Sequence, residues 1–167
     1  IGILQLTQHL DDAVKGFKEG LKNLNVDVTY HYLNADGNIA ELPKLADLLA
    51  TKKVDLIFAC STPAAKAAVA LTENIPVLFT PVFDPVSVNL VESMNKPNGK
   101  ATGMSGMVAA PDKLAFIKNI LPNAKKIALL YHNADDNSVI EKNNILKNNT
   151  TLAIQEIALT SAEDISL

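Results

Sequence analysis

Apolar residues along this chain come in short blocks separated by stretches of helical period. Residues 1–6 form one such block, and residues 11–24 follow with Val14, Phe17, Leu21 and Leu24 on one helical face. Residues 26–33 alternate as a half-buried strand, residues 34–38 carry turn chemistry, and residues 39–51 place Leu42, Leu45, Leu48 and Leu49 on the inner side of a helix. Residues 54–59 are a strand that runs into Ser61-Thr62-Pro63, after which an Ala-rich helix begins at once. A strand over 76–80, a Pro-punctuated loop over 81–85, a helix over 86–94, a turn over 96–99 and a fifth strand over 101–106 complete this series. The pattern then restarts: helix 111–121, strand 125–131, helix 136–149 and strand 152–159, with a helix N-cap signature at Ser161-Ala162-Glu163-Asp164.

Strands alternating with helices predict right-handed βαβ units, and hence an α/β fold with a parallel, doubly wound sheet covered on both faces. Residues 1–106 read as one α/β lobe and residues 107–167 as part of a second. A helix that has barely begun at Ser161 cannot bury a face, so the second lobe is expected to be truncated. A complete single domain of seven strands is the other arrangement this pattern allows.

Composition narrows the chemistry. The formal charge is -3 over 167 residues, which gives no electrostatic footprint for nucleic acid. All 15 basic residues are lysines, so no guanidinium can clamp an anion; backbone N–H groups, hydroxyls, amides or lysines must do so. Cys60 is the only cysteine, which excludes an intrachain disulfide and a cysteine-based metal site. No apolar run reaches the ~18 residues of a bilayer span. The chain opens without Met, inside a strand, so residues are expected to have been removed upstream, a segment with room for a targeting signal.

Polar residues gather where strands hand over to helices. The groups are Gln5 with Thr7, Gln8 and His9; Ser61 with Thr62; Thr80 with Asp84; and residues 132–138, which include Asn137 and Ser138. In one parallel sheet these junctions share an edge and can converge on one crevice. Ser61 or Thr62 is the natural N-cap and Pro63 suits the first helical turn, so the junction either caps a helix or receives a small anion such as a carboxylate. Asp84 either starts a turn or pairs with an ammonium group. Asn137 and Ser138 either cap their helix or hold a carboxylate. His9 reads as a surface or capping residue, His31 as structural, and Met104 and Met107 as core or crevice lining.

Several segments together carry a resemblance. They are Ile1-Gly2-Ile3-Leu4-Gln5, Gly16-Phe17-Lys18-Glu19-Gly20-Leu21, Val54-Asp55-Leu56-Ile57-Phe58-Ala59 leading to Ser61-Thr62-Pro63-Ala64-Ala65, Ile75-Pro76-Val77-Leu78-Phe79-Thr80 with Asp84-Pro85-Val86, and Leu130-Tyr131 with Asn137-Ser138. In this order they resemble the substrate-binding proteins of ABC transporters that include tryptophan- and tyrosine-binding lipoproteins. The resemblance implies the first lobe of a two-lobed, type I periplasmic-binding fold plus part of the second. It implies an extracytoplasmic, non-catalytic protein that needs no cofactor or metal and binds a small zwitterion, an amino acid, between two lobes. The partner would be a transporter permease, and membrane contact would come only through an upstream lipid anchor. Ser61 and Thr62 would hold the α-carboxylate and Asp84 the α-ammonium, with Asn137 and Ser138 closing from the second lobe. Gln8, Phe83 and Tyr131 would touch the side chain, and Thr80 belongs to the same set. Ligand contacts to both lobes would stabilise a hinge-closed state.

Two other functions compete with this one. Cys60-Ser61-Thr62 resembles the Cys-x-Thr site of aspartate/glutamate racemases, which use two opposed cysteines where this chain has one. The effector-binding half of a lac-repressor-type regulator shares the two-lobed fold but would need a helix-turn-helix, which these residues do not contain. A nucleotide-binding Rossmann enzyme fails for want of a glycine-rich loop after the first strand.

Overall fold

The computed structural model describes residues 1–165, which fall in two compact units, one over Ile1–Gly106 and one that starts at Met107. The first contains strands β1 (Gly2–Gln5), β2 (His31–Asn34), β3 (Ile57–Cys60), β4 (Val77–Val82) and β5 (Ala101–Ser105) with helices α1 (Asp11–Asn23), α2 (Leu42–Thr51) and α3 (Thr62–Leu71). The second contains α4 (Ala110–Ile120), β6 (Lys126–His132), α5 (Asp136–Asn148) and β7 (Ala153–Leu159), then a 3-10 turn at Ala162–Ile165.

The seven strands do not share one sheet. Five form a wholly parallel sheet in the order β2-β1-β3-β4-β5, and β6 and β7 form a separate parallel pair. In the first sheet the chain steps outward from β1 to β2 and then crosses back to β3. Right-handed crossovers in opposite directions require the connecting helices to lie on opposite faces. Alternate strand residues show this: Ile3, Phe58 and Cys60 pack with Val14, Leu10 and Phe17 from the α1 side, the Phe17 and Phe58 rings stacking at 4.0 Å. Leu4, Ile57, Ala59, Val77 and Phe79 pack with Leu42, Ala46 and Leu49 of α2 and Ala64, Ala65 and Ala68 of α3. Small alanines let α3 lie close to the sheet.

Two predicted elements fail, each for a visible reason. The strand expected over 26–33 is reduced to β2, because β2 lies at the sheet edge and its only partner, β1, is four residues long. The helix expected over 86–94 is absent. A turn begins there, with Val88 N donating to Asp84 O, but Asn89 at φ 58° breaks it, and β-branched Val86 and Val88 favour no helix. The connection from β4 to β5 therefore has no helix, although Leu90 and Val91 are buried against the α2–α3 side.

On the α1 side the face over β4 and β5 stays open. A cavity of about 390 Å³ lies there, lined by Phe17, Phe58, Leu78, Thr80, Gly103 and Met104, among others. Met104 is exposed at its margin. The β4–β5 register shifts between Phe79 and Val82, beside Gly103, where an added Cβ would overlap the Phe79 carbonyl. Gly103→Ala should therefore destabilise the first unit by about 1–3 kcal/mol, read as a lower urea midpoint, whereas Gly16→Ala, with open space around it, should not.

In the second unit Ala110, Leu114, Ile145 and Leu152 form the core against Ile127, Leu129 and Ile154. Lys113 pairs with Glu141, joining α4 to α5, and Lys142 pairs with Glu156 at 3.3 Å, joining α5 to β7.

Candidate functional site

The winding of the first sheet reverses between β1 and β3, and in an open parallel sheet the carboxyl ends flanking such a reversal form a crevice. Gln5 and Cys60, the last residues of β1 and β3, are ladder partners, so the two strands release their connections side by side. β4 follows as the next strand. Of the four predicted junctions, three thus share one edge, and the fourth, after β6, belongs to the separate sheet of the second unit.

Ser61 is the N-cap of α3, its Oγ accepting from Ala64 N at 3.3 Å. Because that oxygen accepts, its proton remains to be donated to an anion. Ser61 has φ 100° and ψ 158°, a region that glycine alone adopts without strain. Pro63 supplies no N–H, so the hydroxyl carries more of the donor capacity of this helix end than it would in an ordinary first turn.

Thr62 is buried, and its Oγ1 accepts from Phe83 N at 3.4 Å, tying the start of α3 to the chain leaving β4. Phe83 O in turn accepts from Ser105 Oγ of β5 at 2.7 Å. These two bonds fasten Phe83, the residue before Asp84, to the start of α3 on one side and to β5 on the other. The Asp84 carboxylate accepts from Ser87 N at 3.0 Å and Ser87 Oγ at 2.6 Å. It thus closes its own turn, and a carboxylate has further lone pairs for a cation.

After β1, residues 6–10 lead through a 3-10 turn, Gln8–Leu10, into α1. Gln8 and His9 are exposed and Thr7 half-buried. Beneath them Gln5 is fully buried, its Nε2 donating to Asp11 Oδ1 at 3.1 Å and its Oε1 accepting from Tyr32 Oη at 2.8 Å. Burial, with Asp11 adding to it, raises the Tyr32 pKa.

Other expected site residues lie elsewhere. Thr80 is inside β4 rather than at its end, and it lines the apolar cavity on the α1 side. In the second unit the N-cap of α5 is Asp135, whose carboxylate accepts from Ser138 N at 2.8 Å; Asn137 and Ser138 lie in the first turn. The Tyr131 ring lies under the Lys142 ammonium at 4.8 Å.

Cys60 does not open onto the crevice. It is fully buried beside Ile3, Val14 and Phe58, and burial, with the Asp11 charge behind it, pushes its thiol up to about 12. Such a thiol is a poor base or nucleophile near neutrality. Among the described residues no group of His, Cys, Asp and Glu could hold a metal ion, and no helix is long and apolar enough to cross a membrane.

Sequence reasoning missed Ser87, Ser105, Asp11 and Tyr32, and it placed Asp135 in the 132–138 junction without singling it out as the cap. An Asp three residues before a Ser or at a helix start carries a capping signal, so Ser87 and Asp135 could have been found. The bonds from Ser105 and Tyr32 cross strands and leave no local mark.

The profile of the family described as ABC transporter substrate binding protein matches residues 1–167. A curated relative, the tyrosine-binding protein of Clostridioides difficile strain R20291, is 34% identical, covering 98% of this chain and 50% of that protein. The chain thus spans about half the length of the curated relative it matches. The ABC domain from Streptococcus pneumonia in complex with L-Trp superposes with TM-score 0.85 at 29% identity, covering 99% of this chain and 58% of that one. The branched-chain amino acid transporter substrate binding protein LivJ from Streptococcus pneumoniae, in complex with isoleucine, has TM-score 0.74 at 14% identity, covering 97% and 50%, a likeness of fold.

The Ser61 and Cys60 geometries each set an expected outcome. Ser61→Ala loses the cap and keeps the strain, whereas Ser61→Gly relieves the strain, so the glycine variant should be more stable by about 1–2 kcal/mol in thermal or urea unfolding. Equal stabilities would refute the strain. For Cys60, the folded pKa stands above the unfolded value of about 8.5. Its contribution to stability is therefore whole below that pH and lost as pH rises toward about 12. The stability difference between the parent and Cys60→Ala should narrow across that window in pH-dependent unfolding, and the native thiol should resist alkylation at neutral pH.

Proposed function

This chain belongs to the ABC transporter substrate binding protein family, and from that premise we propose that it is an extracytoplasmic, non-catalytic solute-binding protein whose ligand is an amino acid. The observation that carries the reading is the pairing of opposite chemistries at one strand edge. Ser61 offers a hydroxyl proton at the start of α3. Asp84 offers a carboxylate on the connection leaving β4, one residue beyond Phe83, whose N–H donates to Thr62 Oγ1. A zwitterion matches both: its carboxylate meets the hydroxyl and helix end, and its ammonium meets Asp84. These residues contain no arginine, so within them a hydroxyl and helix end is one of the few ways to hold an anion.

Phe83 and Gln8, on the connections leaving β4 and β1, are the residues we assign to the ligand side chain. The relatives' names, a tyrosine-binding protein and a complex with L-Trp, favour an aromatic one. Thr62 acts in this reading as the tie between junctions. Asn137, Ser138 and Tyr131 of the second unit enter on the family resemblance alone, and Asn137→Ala with unchanged affinity would remove them. The partner is the permease of an ABC transporter, which takes the ligand onward.

A thermal-shift screen against the common amino acids tests the assignment, since a ligand bound only by the native state raises the melting temperature. No shift with any of them, L-tyrosine and L-tryptophan included, would overturn it. Asp84→Asn should weaken L-tyrosine binding about tenfold or more while leaving the deaminated analogue within about twofold; equal losses would remove the ammonium role.

A further inference from the structure

The side chain of Gln5 is the only large polar one, apart from two threonines, among the fully or nearly fully buried residues of the first unit. It lies at the last position of β1, directly below the connection that carries Gln8. One end of its amide reaches forward to Asp11, the first residue of α1, and the other reaches sideways to Tyr32 of β2. Residues 5 and 11 bracket the connection, so the Gln5–Asp11 bond closes residues 6–10 into a loop at its base. The entrance of that loop is also fixed by backbone: Ala35 N donates to Gln5 O and Gly37 N to Leu6 O. Within the loop, Thr7 at the start of the 3-10 turn makes no side-chain cap; Leu10 packs on the apolar side of α1, and Asp11 N–H donates to Gln8 O, so Asp11, which the Gln5 amide holds, is also the residue that closes the turn. Apolar packing is non-directional, whereas a hydrogen bond to a carboxylate sets both distance and angle.

We infer that Gln5 is a positioning residue: by clasping Asp11 while Tyr32 orients its amide, it fixes the Thr7–Leu10 turn and with it the wall that Gln8 presents to the ligand side chain. This rests on the amino-acid reading above and deepens it, because it names what sets the choice between ligands that share a head group. Ser61 and Asp84 grip atoms common to every amino acid. The β1 connection does not, so loosening it should alter selectivity more than head-group binding.

Four variants test this. Gln5→Met keeps the length and removes both bonds; Asp11→Ala removes the acceptor at a partly exposed position; Asp11→Asn keeps an oxygen that can accept from the Gln5 amide; Tyr32→Phe removes one arm only. Amide hydrogen exchange at residues 7–10 should rise about tenfold or more in Gln5→Met and Asp11→Ala, stay near the parent value in Asp11→Asn, and leave β3 and α3 unchanged. In calorimetry, the affinity ratio of L-tyrosine to L-alanine should shrink about tenfold in the first two variants and be retained in Asp11→Asn. Exchange that rises uniformly through the unit, or not at all, overturns the clasp. An unchanged affinity ratio with a loosened loop overturns its role in selectivity. Should Gln5→Met fail to fold, Asp11→Ala against Asp11→Asn carries the same comparison. If the parent protein binds neither amino acid, the amino-acid reading falls while the exchange arm still decides whether Gln5 holds the loop.

Discussion

A parallel ladder cannot be closed by a hairpin, so every strand must send its chain away at the same edge and receive it back at the other. In the first unit this constraint places the ends of β1, β3 and β4 in a row. The row matters only because the winding reverses between β1 and β3, which parts the connections there instead of stacking them. Both faces of β1 and β3 are then filled, by Ile3, Phe58 and Cys60 on one side and Leu4, Ile57 and Ala59 on the other. Polar chemistry is left nowhere to go but the edge.

The edge is organised by small bonds across strands. Thr62 takes the Phe83 amide and Ser105 takes hold of its carbonyl, so one residue is fastened to two neighbouring elements. Gln5 does the same one step earlier in the sheet, between Asp11 and Tyr32. Ser61 adds a local conformation that a glycine would hold more cheaply. From that conformation its hydroxyl oxygen caps α3 through Ala64 N.

The βα alternation, the five-strand lobe and the Ser61 cap are all visible in the residues, because each depends on local period or local turn chemistry. Where neighbours decide, the residues are silent. The stretch before His31 alternates well enough for a strand, yet its hydrogen bond to the residue before β1, Ile1 N donating to Thr29 O at 2.8 Å, lies outside the ladder that starts at His31. Residues 86–94 sit where the βα alternation calls for a helix, but Val86 and Val88 favour none and Asn89 turns to positive φ. Asp84 and Ser61 were legible as candidates; that Thr62 serves to link two junctions, and that Thr80 faces an apolar cavity, depend on the register of β4. The hydrophobic signal around Cys60 says strand, and only the packed structure shows its thiol sealed away from the Ser-Thr turn.

The missing helix between β4 and β5 gives this molecule a degree of freedom the other crossovers lack. Residues 84–99 span that gap as turns and irregular chain, with Leu90 and Val91 as buried anchors. Lengthening or rewriting such a connection disrupts no helical hydrogen bonds and leaves the ladder intact. The frame of the first unit therefore tolerates change in this span, which begins beside Phe83 and Asp84, more readily than in any crossover that carries a helix.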